Sequence, residues 1–143
     1  MSYDNPWTYN GEIFDTDNIQ DHYGYVYCIE NLLTGRKYLG RKYFWQKRKE
    51  KGKRRRVTKE SDWKKYYGSS DELKADVKEF GKENFKRTII SLHKTPGKVN
   101  FHETKSLFEH EVLSRRLPNG EFMYYNSNIL SRYFRKDYSD ENT

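Results

Sequence analysis

The order of apolar and polar positions marks out a short series of elements. Tyr23-Gly-Tyr-Val-Tyr-Cys-Ile29 is dense in β-forming residues, and Arg36-Lys-Tyr-Leu-Gly40 is again extended. Between them lies the turn Asn31-Leu-Leu-Thr-Gly35. Two short strands joined by a Gly-containing turn read as a hairpin. Ser69-Ser-Asp-Glu72 has the spacing of a capping box, with Leu73, Val77 and Phe80 following at i, i+4 and i+7 and Gly81 closing the segment. That pattern predicts a helix. Phe85 to Leu92, with Thr88-Ile-Ile90, reads as a third strand, and Thr95-Pro-Gly97 as a turn or helix start. Two apolar lines, Val99 with Leu107 and Phe101 with Phe108 and Val112, predict a second long helix over 98–114. Pro118-Asn-Gly120 is a turn, Phe122 to Asn126 a short extended piece, and 127–135 a terminal helix. Residues 42–51 read as a short helix leading into a basic loop. A few strands carrying helices place the chain in the α/β (α+β) class, with a small, mainly antiparallel three-stranded sheet flanked by helices.

With 143 residues the chain suits one domain. Residues 1–21 are acidic and have few apolar anchors beyond Trp7, Ile13 and Phe14, so they read as an N-terminal arm. The domain then runs over 22–135, with a basic insertion at 47–66 and a polar tail at 136–143. Aromatic residues make up 17% of the chain, thirteen of them Tyr, which points to an aromatic-rich core. No apolar run reaches the roughly 20 residues of a membrane span, and no signal-peptide pattern opens the chain. The single cysteine, Cys28, excludes an internal disulfide and a Cys-cluster zinc site, and reads as a buried thiol. An intracellular, cytoplasmic location is the expectation.

Charge changes the picture more than composition does. The net charge is +7, but residues 41–65 alone carry thirteen Lys/Arg against three acids, a net +10. The remainder of the chain is net acidic. Charge packed this densely repels itself unless a polyanion neutralises it. Trp45, Trp63, Tyr66 and Tyr67 are interleaved with the bases and could stack on nucleobases. The expected nucleic-acid contacts are Arg41, Lys42, Lys47, Lys49, Lys53, Arg54, Arg55, Arg56, Trp63, Lys65 and Tyr67.

There is no G-x-x-x-x-G-K-[ST], no G-x-S-x-G and no H-E-x-x-H. His102 and His110 could share a helix face, but isolated helical histidines are ordinarily packed or solvated. The hairpin is more specific. Tyr27 and Tyr38 sit eleven apart, one on each strand, and Tyr38 opens Tyr-Leu-Gly40; Arg48 follows eight residues later. Phe80-Gly81-Lys-Glu-Asn-Phe85 leads into the third strand, Glu103 lies on the helix after it, and Tyr124-Tyr-Asn126 comes last. This ordered set, over roughly 22–130, resembles the GIY-YIG nuclease superfamily. The first motif departs from the family, since Tyr25-Val-Tyr27 has Tyr at its glycine position. The insertion with Asp62-Trp-Lys-Lys-Tyr-Tyr-Gly-Ser-Ser70 is similar to that of small free-standing endonucleases of tailed phages, of the Seg or homing type.

The resemblance implies a Mg²⁺- (or Mn²⁺-) dependent endonuclease acting on DNA, double-stranded by expectation, with Tyr27, Tyr38, Arg48, Glu103 and Asn126 as catalytic residues. Glu103 would be the metal ligand, since Mg²⁺ takes hard oxygens and keeps most of its waters. Arg48 would fork onto a non-bridging phosphate oxygen, with Arg41 and Lys42 as rivals for that task. Tyr27 or Tyr38 would orient or deprotonate the water, and Asn126 would hold the site together. Family members often carry a His after the Arg, and residues 41–70 contain none. Lys65, Tyr66 or Tyr67 are the candidate substitutes. The same residues leave room for a non-catalytic nucleic-acid-binding module on this scaffold, or for a small basic structural protein of an RNA–protein particle. A homodimer is among the expected partners, a membrane is not, and the host cell would be bacterial if the gene is phage-borne. All five site residues are expected to converge on one face of the sheet, as strand alternation puts Tyr25 and Tyr27 on the same side.

Overall fold

The computed structural model describes residues 2–49, 52 and 56–140. Its strands are β1 (Thr8–Tyr9), β2 (Glu12–Ile13), β3 (Gly24–Asn31), β4 (Lys37–Tyr43), β5 (Trp45–Lys49), β6 (Arg56–Glu60), β7 (Phe85–His93), β8 (Asn128–Ile129) and β9 (Tyr133–Phe134). Its helices are α1 (Asp71–Phe80), α2 (Pro96–Glu109) and the four-residue α3 (Arg135–Tyr138). The central sheet is five-stranded, in the order β2-β1-β7-β3-β4. Its three long strands, β7, β3 and β4, are antiparallel neighbours, as the pattern predicted. The sheet is nevertheless mixed, because β1 pairs with β7 in parallel.

That added pair corrects the three-stranded expectation and the reading of residues 1–21 as an arm. Asn10 (φ 53°) and Gly11 (φ 82°) are both left-handed and close a two-residue hairpin between β1 and β2. Asn-Gly is the strongest short hairpin signal in a sequence, but strands of two residues offer no alternation beside it. Trp7 is fully buried, edge-on to Tyr25 and Tyr27 at 5.1 Å, and its indole N–H donates to the Trp63 carbonyl at 2.8 Å. The buried Arg87 of β7 ties the same segment down: its guanidinium donates to the carbonyls of Asp4, Asn5 and Tyr66, between the rings of Trp7 and Tyr67.

The two faces of the sheet are chemically different. One carries Tyr25, Tyr27, Ile29, Phe85 and Ile89, packed with Trp7, Phe44, Trp63 and the Leu73 and Val77 stripe of α1. The other carries Leu39 against Leu107 of α2 and Val112, Leu113, Tyr124 and Ile129. Helix α1 starts one residue later than the capping box suggested, since Ser70, not Ser69, accepts from the Leu73 N–H. Gly81 (φ 93°) closes it, donating to the Val77 carbonyl. Thr95 caps α2, with Pro96 in its first turn. Helix α2 stops at Glu109, short of the expected 114, and leaves Phe101 and Phe108 exposed rather than in the core.

Two expected helices are hairpins. Residues 45–49 form a strand antiparallel to β6, with Trp45 opposite Glu60 and Arg48 opposite Val57. The ribbon is anchored at its base by buried Phe44 and Trp63, with the Ser61 N–H donating to the Phe44 carbonyl. Residues 127–135 make the short β8–β9 hairpin through left-handed Leu130 and Ser131.

Candidate active site

Register fixes the tyrosines first. Tyr27 stands opposite Gly40 and Tyr38 opposite Ile29, so both rings rise from the same face of β3 and β4. The Tyr27 ring lies across Gly40: a Cβ there would sit 2.5 Å from the Tyr27 hydroxyl and 3.0 Å from the Tyr38 ring. The glycine of Tyr-Leu-Gly40 is therefore the floor of a two-tyrosine stack, whose centroids are 6.2 Å apart. Tyr27 is 1% exposed, edge-on to Tyr66, and burial pushes its hydroxyl well above the ordinary phenol range. A general base needs the opposite shift, and the Tyr27 ring is packed in the core rather than open to solvent. Tyr38 reaches further out. Its hydroxyl shares a 2.8 Å hydrogen bond with the Ser69 hydroxyl, which opposes the upward shift that burial imposes. Gly68 (φ 84°) lets the chain pass under the Tyr38 ring.

Glu103 approaches from the other face. Leu39 and Arg41 alternate with Tyr38 and Gly40 and point toward α2, where the Arg41 Nε lies 3.6 Å from the Glu103 carboxylate. Burial raises the Glu103 pKa, and the Arg41 charge works against that rise. The expected convergence on one face is thus corrected. The groups meet around the outer edge of β4, the tyrosines from one side and Arg41 with Glu103 from the other.

Asn126 supports that edge. Its side-chain amide accepts from the Leu39 N–H at 3.1 Å and donates to the Leu39 carbonyl at 2.8 Å, copying a strand neighbour. Just before it, the Lys37 N–H donates to the Met123 carbonyl and the Tyr125 N–H to the Lys37 carbonyl.

A polar groove of about 670 Å³ opens there, lined by Tyr38, Arg41, Ser69, Glu103, Asn126 and Arg135 among others. Tyr27 stays beneath it. Arg48 lies on a strand of the β5–β6 ribbon rather than on a helix, so Arg41 is the arginine beside Glu103. The alternation of β4 was the signal that could have ranked it above Arg48. Ser69 was missed because the capping box claimed it, and Arg135 because it was assigned to the end of a helix.

The basic candidates divide. Lys47 and Lys65 are exposed, while Lys42 pairs with Asp62 at 2.6 Å beneath the Tyr66 ring. Lys49 and Arg56 lie on the ribbon strands, and Lys53, Arg54 and Arg55 lie outside the described residues. Trp63 and Tyr67 are not base-stacking platforms. Trp63 is fully buried in the aromatic core, and Tyr67 is 9% exposed beneath the Arg87 guanidinium.

Among the described residues no group of three or more His, Cys, Asp or Glu could hold a metal ion. His102 stacks on His93 at 4.2 Å, and the Cys28 thiol is pushed up to about 11 by burial. A single carboxylate still suits Mg²⁺, which keeps several waters and takes one or two carboxylates rather than a protein cage. Glu103, a part-buried carboxylate facing an open polar groove, fits that need.

No helix among the described residues is long and apolar enough to cross a membrane. No curated protein and no solved structure matches the chain. One family model, described as "Putative endonuclease segE, GIY-YIG domain", matches residues 7–129. The match takes in β1 and β2 as well as the tyrosine hairpin, Glu103 and Asn126, and on it the chain belongs to the GIY-YIG nuclease family, with its likeness to the Seg-type endonucleases.

Proposed function

We propose that this chain is a Mg²⁺-dependent endonuclease that hydrolyses phosphodiester bonds of double-stranded DNA in the groove at the edge of β4. The observation that carries the reading is that Tyr38, Arg41, Glu103 and Asn126, brought from β4, α2 and the 123–126 segment, line one polar groove. Glu103 would hold the cation, which when bound would supply positive charge against that gathering on the phosphoryl oxygens. The Arg41–Glu103 contact is long at 3.6 Å, so the guanidinium can turn a fork toward a non-bridging phosphate oxygen without giving up a tight pair. Tyr38, steered by Ser69, sets a hydrogen bond on the attacking water or the leaving oxygen. Tyr27 and Gly40 fix the Tyr38 ring, and Asn126 fixes the backbone between Tyr38 and Gly40. The β5–β6 ribbon adds phosphate contacts and affinity.

The test is cleavage of supercoiled plasmid by the wild type with Mg²⁺, with Mn²⁺ and with EDTA. The proposal expects nicked or linear product in the first two only. Binding without cleavage under all conditions would leave a nucleic-acid-binding module on a nuclease scaffold.

A further inference from the structure

One wall of the groove comes from the β8–β9 hairpin: Ser127, Asn128, Ser131 and, at the first position of α3, Arg135. The Arg135 N–H donates to the Ser127 carbonyl at 2.8 Å, which fixes the arginine beside the serines. Its guanidinium lies 4.4 Å over the Phe122 ring, which also carries Arg116 at 4.1 Å. A planar guanidinium stacked by its face keeps its N–H edge for an anion. Here the edge is not satisfied: Arg135 Nη1 is buried with no hydrogen-bond partner. Leaving a charged donor unpaired is costly, which argues for a partner that arrives with the substrate. The acids nearby do not supply one. Glu72 feels the Arg135 charge, but its two oxygens are taken by Arg36 at 2.9 and 3.3 Å, and Asp71, also on the groove, is exposed. Arg135 also lies past residue 129, where the family match ends.

We propose that Arg135, with the hydroxyls of Ser127 and Ser131, binds a second phosphodiester of the cleaved strand. The strand then runs along the groove from Arg41 and Glu103 to the β8–β9 hairpin, and Arg135 sets its register. This rests on the endonuclease reading, because the first phosphate is the one placed at Glu103.

The experiment measures binding of a fluorescent 20-base-pair duplex against salt for the wild type, Arg135→Ala, Arg135→Lys and Arg116→Ala, with plasmid cleavage in parallel. Arg116→Ala removes an equal charge and the other stack on Phe122, outside the groove. Losing one phosphate contact lowers the slope of log K against log salt by about 0.9. Arg135→Ala should show that drop and bind about tenfold more weakly at 0.1 M salt, while Arg116→Ala keeps the wild-type slope. Arg135→Lys should keep the slope and bind more weakly than wild type, since an ammonium cannot fork. A wild-type slope in Arg135→Ala, or an equal drop in Arg116→Ala, overturns the proposal. Cleavage with an unchanged Arg135→Ala slope rejects this contact and keeps the nuclease. The expected slopes without cleavage by the wild type reject the nuclease and keep the contact. A wild type that binds no duplex rejects both.

Discussion

Gly40→Ala adds one methyl group to the floor of the tyrosine stack, and the structure says what that methyl meets. It would lie 2.5 Å from the Tyr27 hydroxyl, 2.8 Å from the ring carbon bearing it and 3.0 Å from the Tyr38 ring, where ordinary contact begins at 3.4 Å. Tyr27 must therefore retreat by roughly 1 Å. It has nowhere to go, being 1% exposed with Trp7 at 5.1 Å and Tyr66 at 6.0 Å. Overpacking a closed core costs about 1–3 kcal/mol. For a domain of this size each kcal/mol moves the Tm by roughly 2–8 °C, so the variant should melt several degrees lower. Tyr38 shares the contact, and a displacement of about 1 Å in a positioned group can cost on the order of 10²-fold in rate. The assays are a urea denaturation series and plasmid cleavage at fixed Mg²⁺. Tyr27→Phe in the Gly40→Ala background should restore part of the stability, because the nearest atom is gone, but not all, because the ring carbon remains. A Gly40→Ala protein with wild-type Tm and wild-type rate would refute the account of this glycine.

Glu103→Gln should abolish Mg²⁺-dependent cleavage while leaving duplex binding nearly intact, and a mutant cutting at the wild-type rate would put the metal on another carboxylate. The same variant has a stability signature. Burial raises the folded-state pKa of Glu103 above its value in the unfolded chain, so the folded state holds its proton longer and ionisation costs stability as pH rises through that interval. Relative to wild type, Glu103→Gln should therefore gain stability on going from pH 4 to pH 7, read from paired melts; a relative loss would mean that the Arg41 contact outweighs burial. Replacing Arg54, Arg55 and Arg56 with Ala should lower the salt slope of duplex binding by up to about 0.9 per lost contact, and an unchanged slope would remove this basic run from the interface. Trp63→Ala should cost about 3–5 kcal/mol in stability and leave the salt slope of the folded protein unchanged, which separates a core residue from a stacking platform. Tyr38→Phe should slow cleavage by roughly 10²–10⁴ if its hydroxyl acts in proton transfer, with Tyr27→Phe much milder; equal losses would put Tyr27 in the chemistry.

The long elements were legible because their signals are local. Strand alternation fixed β3, β4 and β7, and apolar spacing with caps fixed α1 and most of α2. The tyrosine pair followed from two residue types at one spacing. What escaped depends on tertiary partners. Strands β1 and β2 are two residues each and owe their order to Trp7 and to β7, so composition made them look like an arm. Trp63 sits in a basic run, yet its ring faces the core, a placement set by Phe14, Tyr25 and Phe44 rather than by its neighbours in sequence. Arg48 was favoured by its distance from Gly40 along the chain, a measure that holds only if a helix follows β4. With a ribbon in that place, the arginine that pairs with Glu103 is the one already on β4.

The Asn126 clasp on Leu39 also bears on how copies of this chain can meet. An uncovered sheet edge is a template for adding a foreign strand, and with it for aggregation. Here Met123, Tyr125 and the Asn126 side chain occupy the outer edge of β4 from Lys37 through Leu39, and the opposite edge is β2, only two residues long. Each border is thus shortened for strand addition, the first over Lys37 to Leu39 and the second by ending in a two-residue strand. Continuation of the central sheet from copy to copy is therefore disfavoured, and the polar side of β4 stays open to a nucleic acid instead of being sealed by a second sheet. Asn126→Ala would unfasten that border, and the first sign should be a rise in light scattering on storage, ahead of any fall in Tm.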